Sequence, residues 1–257
     1  MKTLPTSEAD FCRPGSIALI PARRRLRTRN LQPGHEGRIT GETAILRIRI
    51  RVHAENKIAL KVGVLAIQGD FAAHANALRE AGAEPVLVRR PEQLADIDGL
   101  VIPGGESTTF LKFLERDGFL GALQEFVRSK PTFGTCAGCI LLAKEVRNPA
   151  QASLGVLDAT VERNAYGRQI DSVIETADTK IEGGPLEMVY IRAPRIVKVG
   201  SGVTVLAERE GFPVMIEQGN VLAATFHPEL SADRRVHARF VEMVQAHSAL
   251  AHAARSN

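Results

Sequence analysis

The sequence has no tryptophan, only two tyrosines and only three cysteines among its 257 residues. Few aromatic side chains are therefore available to stack on nucleic-acid bases. The cysteines (Cys12, Cys136 and Cys139) are too few, and odd in number, for a disulfide framework, which favours a reducing compartment, the cytoplasm. No apolar run reaches the roughly 18–20 residues that a membrane span requires. We expect neither a nucleic-acid partner nor a membrane partner.

The net charge of +4 is unevenly distributed along the chain. Residues 1–56 contain ten arginines and one lysine against five acidic residues, a balance of +6 that leaves −2 for the remainder. We interpret residues 1–56 as a basic N-terminal extension that is disordered or not part of the native protein. A targeting segment is the alternative, although Glu8 and Asp10 fit a transit peptide poorly. Residues 57–257 are predicted to form one domain.

Strands and helices alternate from residue 58 onwards. The run IALKVGVLAI is typical of a parallel strand that is covered on both faces. Further strands are predicted at EPVLVRR and IDGLVIPGG, and helices at QGDFAAHANALREAGAE, at STTFLKFLERDG with Ser107 at or near its N-cap, at FLGALQEFVRSK, at CILLAKEV and at the C-terminal SADRRVHARFVEMVQAHSALAHAAR. This order predicts an α/β fold with a mostly parallel, doubly wound sheet and flanking helices.

The segment Thr-Phe-Gly-Thr-Cys136-Ala-Gly-Cys-Ile places a cysteine between an apolar strand and an apolar helix. This pattern is typical of a nucleophile elbow, in which a sharp turn between small residues lifts the side chain clear of the sheet. The start of the following helix favours the thiolate form. Taken alone, the segment is equally compatible with a buried structural cysteine. The Cys-x-x-Cys pair with Cys139 could also be a redox or zinc half-site, but packing of Cys139 into the helix is the better interpretation.

A second pattern, Thr-Phe-His227-Pro-Glu229, follows the predicted strand NVLAAT. In an extended segment, residues i and i+2 point the same way, so the imidazole and the carboxylate emerge together. A carboxylate that orients a histidine base is the arrangement of a catalytic triad. A lone His-Pro-Glu is more often a surface turn, but the cysteine elbow favours the catalytic interpretation.

A third pattern, Pro-Gly-Gly105-Glu106-Ser107-Thr-Thr, joins a strand to a helix. Glycines at such a junction let backbone N–H groups face an anion or an oxyanion. The Gly-Lys-Ser/Thr ending of a phosphate-binding loop is missing.

Together these stretches make the chain resemble the glutaminase subunits of pyridoxal 5′-phosphate synthases, a family of class I glutamine amidotransferases. The resemblance covers about residues 58–230 and also includes Val-Gly-Val-Leu-Ala-Ile-Gln-Gly, Arg163-Asn-Ala-Tyr-Gly-Arg-Gln, Ile191-Arg192-Ala-Pro and Phe-His-Pro-Glu-Leu. It implies the class I glutamine amidotransferase (flavodoxin-like) architecture. The segment after Gln68-Gly69 reads Asp-Phe-Ala-Ala-His74 and has no acidic residue at the place where the family often carries one before this histidine. We assign this departure to the partner-facing surface near His74.

The resemblance also implies residue roles. Cys136 is the nucleophile, His227 the base and Glu229 its orienting group, and the backbone N–H groups of Gly105 and Ala137 form the oxyanion hole. The residues implied to contact L-glutamine are Gly105, Glu106, Ser107, Arg163, Ile191 and Arg192. No metal or organic cofactor is expected. The ammonia is expected to pass to a (β/α)₈-barrel synthase subunit that builds pyridoxal 5′-phosphate.

Three other functions fit parts of these patterns. The domain could be the glutaminase subunit of another biosynthetic amidotransferase, a related cysteine hydrolase such as a peptidase, or a regulatory subunit without activity. The Arg163-Asn-Ala-Tyr-Gly-Arg-Gln stretch argues against the first, and the intact set of Cys136, His227 and Glu229 argues against the last.

Overall fold

The computed structural model describes residues 60–163, residue 165 and residues 172–255. The proposed N-terminal extension, residues 1–56, lies outside the described residues, as do residues 164 and 166–171 of the Arg163 stretch. The boundary between the extension and the domain therefore stays a prediction.

The central feature is a seven-stranded sheet with the order β10-β11-β12-β4-β3-β1-β2. Its strands β12, β4, β3, β1 and β2 run parallel, and β10 and β11 add an antiparallel edge. Two smaller sheets, β5-β6-β9 and β7-β8, accompany it. The strands are β1 Lys61–Leu65, β2 Glu84–Val88, β3 Gly99–Ile102, β4 Thr132–Thr135, β5 Ala143–Arg147, β6 Leu157–Glu162, β7 Ser172–Ala177, β8 Leu186–Ile191, β9 Arg195–Val199, β10 Thr204–Arg209, β11 Phe212–Gln218 and β12 Val221–Ala224.

Helices cover both faces of this sheet. They are α1 Phe71–Glu80, α2 Ser107–Arg116, α3 Phe119–Ser129, α4 Ala137–Leu142 and α5 Arg235–Arg255, and short 3₁₀ helices span Pro91–Asp96 and Pro228–Leu230. Buried side chains of α1 and α5 share one apolar cluster with Val101, whereas those of α2, α3 and α4 share another with its neighbours Leu100 and Ile102. Successive strand residues thus feed opposite faces. The predicted doubly wound, mostly parallel sheet is confirmed.

Two local predictions were wrong. The segment CILLAKEV was expected to be one helix, but α4 ends at Leu142, and Ala143 begins strand β5, which pairs in parallel with β6. Pairing with a distant strand decided the conformation of a segment whose composition suits a helix. Strand β7, which pairs antiparallel with β8, had not been predicted at all.

The parallel strands bring the sequence motifs to one edge of the sheet. The segments that follow the carboxyl ends of β1, β3, β4 and β12 carry Gln68, the glycine loop, Cys136 and His227, respectively. Ligand sites of open α/β sheets lie at this edge. Among the helices of the described residues, none is both long and apolar enough to cross a membrane.

Candidate active site

Cys136 occupies a strained turn between β4 and α4, as the sequence predicted. Its backbone has φ +48° and ψ −104°, a conformation that costs on the order of 1–3 kcal/mol for a non-glycine residue. Hydrogen bonds hold the turn on both sides: the Cys136 N–H donates to the Ala224 carbonyl (2.9 Å), and the Cys136 carbonyl accepts from the Ile140 N–H (3.2 Å). The turn is therefore fixed by the neighbouring strand and by the helix that it starts.

Glycines on either side of the turn make the close approach of its segments feasible. A Cβ atom at Gly138 would lie 2.1 Å from the Ile102 carbonyl oxygen, and one at Gly134 would lie 2.6 Å from the Gly138 carbonyl carbon. Atoms that are not bonded to one another cannot approach so closely, so any larger residue would displace the elbow. Both positions of the elbow therefore require glycine.

His227 and Glu229 form a buried pair behind Cys136. Nδ1 of His227 lies 2.8 Å from Oε1 of Glu229, and the Glu229 side chain is fully buried. The backbone between them differs from the prediction, because Pro228 begins a 3₁₀ turn in place of an extended segment. Alternation along a strand therefore does not explain the pairing; the turn brings the carboxylate back to the imidazole.

The charge state of His227 suits a proton-transfer partner of Cys136. Burial lowers the pKa of His227, but hydrogen bonding and charge at Cys136 and Glu229 outweigh it and raise the pKa to about 10. Its other ring nitrogen, Nε2, is buried and has no aligned hydrogen-bond partner among the described residues. Nε2 is thus free to exchange a proton with the thiol or with a leaving group.

The glycine loop after β3 passes beside both groups. A Cβ atom at Gly104 would meet Cε1 of His227 at 2.5 Å and Cβ of Cys136 at 3.3 Å. Gly105 has φ +140°, and Gln68 supports the loop by donating from Nε2 to the Glu106 carbonyl at 2.9 Å. The loop therefore lies against Cys136 with its backbone, since it has no side chains at these two positions.

Glu106 forms the N-terminal cap of α2, and Ser107, predicted to lie at or near this cap, is the residue directly after it. Its carboxylate accepts from the N–H groups of Thr108 (3.0 Å) and Thr109 (2.7 Å). Burial opposes ionisation, but the hydrogen bonds from Thr109 and Thr108 lower the pKa of Glu106 to about 2. Ser107, the first residue of α2, instead donates from its buried hydroxyl to Oε1 of Gln151 at 3.0 Å.

Arg163 and Arg192 take different positions around this loop. Nη2 of Arg163 lies 3.2 Å from Oε1 of Glu106 and donates to the Thr108 hydroxyl at 2.7 Å. Arg192 follows β8 in a left-handed conformation (φ +45°). Arg163 holds the acidic loop, whereas Arg192 belongs to the wall of the cavity described next.

One cavity collects most of the residues that the sequence singled out. Its volume is about 260 Å³, and it is lined by Gly105, Glu106, Ser107, Cys136, Ile140, Arg163, Ile191, Arg192 and His227. Two residues of the predicted set do not line it: Glu229 stands behind His227, and Ala137 is buried as the first residue of α4. The N–H of a first helical residue has no acceptor within the helix, which leaves that of Ala137 for a ligand.

Cys139 is fully buried in the core next to the elbow. Burial, together with the neighbouring Cys136, raises the pKa of the Cys139 thiol to about 12. A thiol with this pKa stays protonated near neutral pH and is a poor nucleophile or metal ligand. Cys139 therefore packs as a small apolar residue, as predicted.

Sequence reasoning missed three contributors. Gln68 supports the glycine loop, and Gln151 accepts a hydrogen bond from Ser107. Of these two, only Gln68 could have been predicted, from its position after β1. A partner-facing surface was predicted near His74, but His74 itself is completely buried, and its Nε2 lies 3.3 Å from Oε2 of Glu229. The helical period of α1 could have placed His74 inward, on the same face as Leu78.

Comparisons with known proteins agree with this geometry. Residues 64–246 match the SNO glutamine amidotransferase family. The chain is 62% identical to the pyridoxal 5′-phosphate synthase subunit PdxT of Koribacter versatilis over 186 residues, 72% of this chain and 96% of that protein. It is 48% identical to the protein of the same name from Thermotoga maritima over 188 residues, 72% of this chain and all of that protein.

Solved structures give the same result. A crystal structure described as a glutamine amidotransferase has 46% sequence identity and a TM-score of 0.67, covering 72% of this chain and 98% of its own. The PurLQS structure from Thermotoga maritima shares the fold, with a TM-score of 0.51 at 17% identity over 74% of this chain and 97% of its own. The chain belongs to the SNO glutamine amidotransferase family.

Proposed function

We propose that this chain hydrolyses L-glutamine to glutamate and ammonia through Cys136, His227 and Glu229, and that it supplies the ammonia for pyridoxal 5′-phosphate synthesis. The observation that carries the proposal is the cavity in which the elbow cysteine, the histidine base and the capped acidic loop meet. Family membership and the names of the PdxT relatives support the glutaminase activity and the pathway.

The reaction begins with the Cys136 thiolate and the His227 imidazolium, the pair favoured by the raised pKa of His227. The sulfur attacks the side-chain carbonyl carbon of glutamine, and the carbonyl oxygen becomes an oxyanion. The N–H groups of Gly105 and Ala137 stabilise that oxyanion; loss of one such donor typically costs about 2.7–4 kcal/mol. Collapse of the intermediate breaks the C–N bond, and His227 protonates the departing ammonia.

The second half of the reaction restores the enzyme. The neutral His227 takes a proton from water, and the resulting hydroxide attacks the glutamyl thioester. Collapse of this second intermediate breaks the C–S bond and releases glutamate together with the Cys136 thiolate. Glu229 keeps the Nδ1–H of His227 directed at its own carboxylate throughout, so that Nε2 always faces the reacting groups.

The cavity also offers separate groups for the two ends of the substrate. Arg192 has no ion-pair partner within the part of the chain that the structure describes, so its guanidinium is our candidate for the α-carboxylate of glutamine. The Glu106 carboxylate carries charge at neutral pH and could meet the α-ammonium group. Ile191 forms part of the wall beside them.

Free ammonia is mostly protonated near neutral pH and would be lost to solvent, so direct delivery to a synthase subunit makes chemical sense. We propose a (β/α)₈-barrel synthase as that partner, on the family resemblance, and a cytoplasmic location on the low cysteine content. Glutamine turnover measured with and without the synthase subunit tests this step, and activity should rise when the synthase is added. Equal activity in both conditions would contradict it.

The alternative of a peptidase is tested in the same assay series. The wild-type chain should release ammonia from glutamine and leave unstructured peptides intact. A glutamine-like diazoketone should add one covalent mass to wild-type protein and none to Cys136→Ala. Peptide cleavage without glutamine turnover would reject the proposed function.

A further inference from the structure

Two buried histidines stand behind the proposed triad. His74 belongs to α1 and His237 to α5, and neither is exposed to solvent. Nδ1 of His74 lies 3.0 Å from Nε2 of His237, a hydrogen-bond distance. Apolar rings surround them, with Phe133 edge-on to both and stacked at a tilt on Phe240. Buried imidazoles in such surroundings need a structural or functional reason, because polar groups are costly to bury.

His74 reaches the catalytic groups through its other ring nitrogen. Nε2 lies 3.3 Å from Oε2 of Glu229 and 3.2 Å from the hydroxyl of Thr135, the residue before the nucleophile. Oε1 of Glu229 is bonded to His227, but Oε2 has no aligned hydrogen bond among the described residues. A fully buried carboxylate oxygen without a hydrogen-bond donor lowers the stability of the fold, so a nearby N–H group stabilises this site.

Both histidines are neutral at physiological pH. Burial, together with His237 and His227, holds the pKa of His74 well below its usual value. Burial and the nearby Arg234 lower the pKa of His237 to about 3, against the opposing effect of Glu80. Each ring therefore carries a single N–H, and the position of that proton decides what His74 does.

Only one arrangement of these protons stabilises the negative charge of Glu229. If Nε2 of His74 carries the proton, its N–H donates to the Thr135 hydroxyl and also lies 3.3 Å from the negatively charged Oε2, and Nδ1 accepts from the Nε2–H of His237. In the opposite arrangement, a lone pair of His74 faces the buried carboxylate and His237 holds a buried N–H at Nδ1, an atom with no partner among the described residues. The first arrangement is favoured because a carboxylate accepts hydrogen bonds and cannot donate them when ionised.

We propose that His74 is a positioning residue of the glutaminase reaction: its Nε2–H, 3.3 Å from Oε2 of Glu229, stabilises the charge on that oxygen and so keeps Oε1 on Nδ1 of His227, and His237 fixes the tautomer of His74. The inference rests on the proposed triad and extends it by two residues. Arg234, the residue before α5, forms an ion pair with Glu80 of α1, with 2.5 Å between Nε and Oε2. This ion pair connects the two helices that carry the histidines. The chain of contacts thus runs from the α1–α5 interface to the base.

Two substitutions of similar size separate the hydrogen bond from packing. In His74→Gln the terminal amide nitrogen reaches the place of Nε2, whereas in His74→Asn the shorter amide reaches only the place of Nδ1. With the full chain and its synthase subunit, we expect kcat for glutamine to fall about 10- to 100-fold in His74→Asn, the range for groups that orient a metal-bound histidine. KM should change by less than about twofold, since only the transition state is affected. His74→Gln should recover most of the lost kcat at a similar thermal midpoint.

Wild-type protein provides a second readout that does not depend on a variant folding. Nitrogen NMR of ¹⁵N-histidine-labelled protein should show His74 as the Nε2–H tautomer and His237 likewise. Finding His74 as the Nδ1–H tautomer would overturn the inference, as would wild-type kcat in His74→Asn or an equal loss in both variants. Cys136→Ala is run alongside: if it stays active, the triad fails and the inference with it, whereas an inactive Cys136→Ala with a fully active His74→Asn rejects the inference alone.

Discussion

Gly104 lies so close to His227 that a Cβ atom at residue 104 would stand 2.5 Å from Cε1 of the imidazole. The same atom would stand 3.3 Å from Cβ of Cys136. The loop after β3 therefore passes His227 and Cys136 at a distance that only glycine permits. This contact links the Pro-Gly-Gly-Glu-Ser motif to the other two motifs, which lie far from it in the sequence.

We expect Gly104→Ala to lower kcat for glutamine by about 100-fold, because a displacement near 1 Å of reacting groups has about that effect. The matched control is Gly121→Ala in α3, where an added Cβ would meet nothing within 4 Å. That control should keep full activity and gain up to about 1 kcal/mol of unfolding free energy from helix propensity. Steady-state ammonia release and thermal unfolding measure both effects, and wild-type activity in Gly104→Ala would contradict the packing described.

The pKa of His227, about 10, should fall when either of its two anionic neighbours is removed. Cys136→Ala and Glu229→Gln each remove a negative charge that stabilises the imidazolium, so the neutral ring becomes easier to form. NMR titration of the His227 ring protons in the three proteins measures the change. An unchanged pKa in Glu229→Gln would mean that the 2.8 Å contact does not govern the charge of the base.

The cap at Glu106 should make stability depend on pH in the acid range. Because the folded-state pKa is depressed from 4.5 to about 2, its contribution is complete above pH 4.5 and is lost as the pH falls toward 2. The difference in unfolding free energy between wild type and Glu106→Gln should be about 1 kcal/mol or less, since the side chain is half exposed. Denaturant unfolding at several pH values measures it, and a difference that does not shrink below pH 4.5 would exclude the cap as its origin.

The two arginines of the cavity should give different kinetic effects. Arg192→Ala removes the proposed partner of the substrate carboxylate and should raise KM for glutamine about tenfold or more, with kcat changed much less. Arg163→Ala frees Glu106 and Thr108 and should lower kcat as well, because the loop beside Cys136 loses its support.

Arg116→Ala is the control for both variants. Arg116 lies at the far end of α2 and pairs with its exposed neighbour Asp117, so both constants should be unchanged. Identical kinetic changes in Arg192→Ala and Arg163→Ala would argue against separate roles.

The sequence was sufficient to predict the parallel sheet and the residues that meet at its edge. Continuous apolar strands such as β1 are buried on both faces, and this makes their pattern specific. Cys136, Gly105 and His227 each follow a strand of that sheet, so the topology alone brings them together.

Local details depended on contacts that a sequence does not display. The cap of α2 is Glu106, the residue before Ser107, because its side chain folds back onto two N–H groups while Arg163 contacts it from a distant segment. Strand β5 replaced a predicted helix end because β6 offers it a partner. The burial of His74 depends on α5, whose His237 contacts it although the two residues are 163 positions apart in the sequence.

The most direct measurement of the central claim is glutamine hydrolysis by the full chain with its synthase subunit, comparing wild type with Cys136→Ala. We expect the rate of ammonia release to fall at least about 1,000-fold in the variant, as happens when a covalent nucleophile is removed. Circular dichroism should show that the variant keeps its fold. Ammonia release at the native rate by Cys136→Ala would contradict the account.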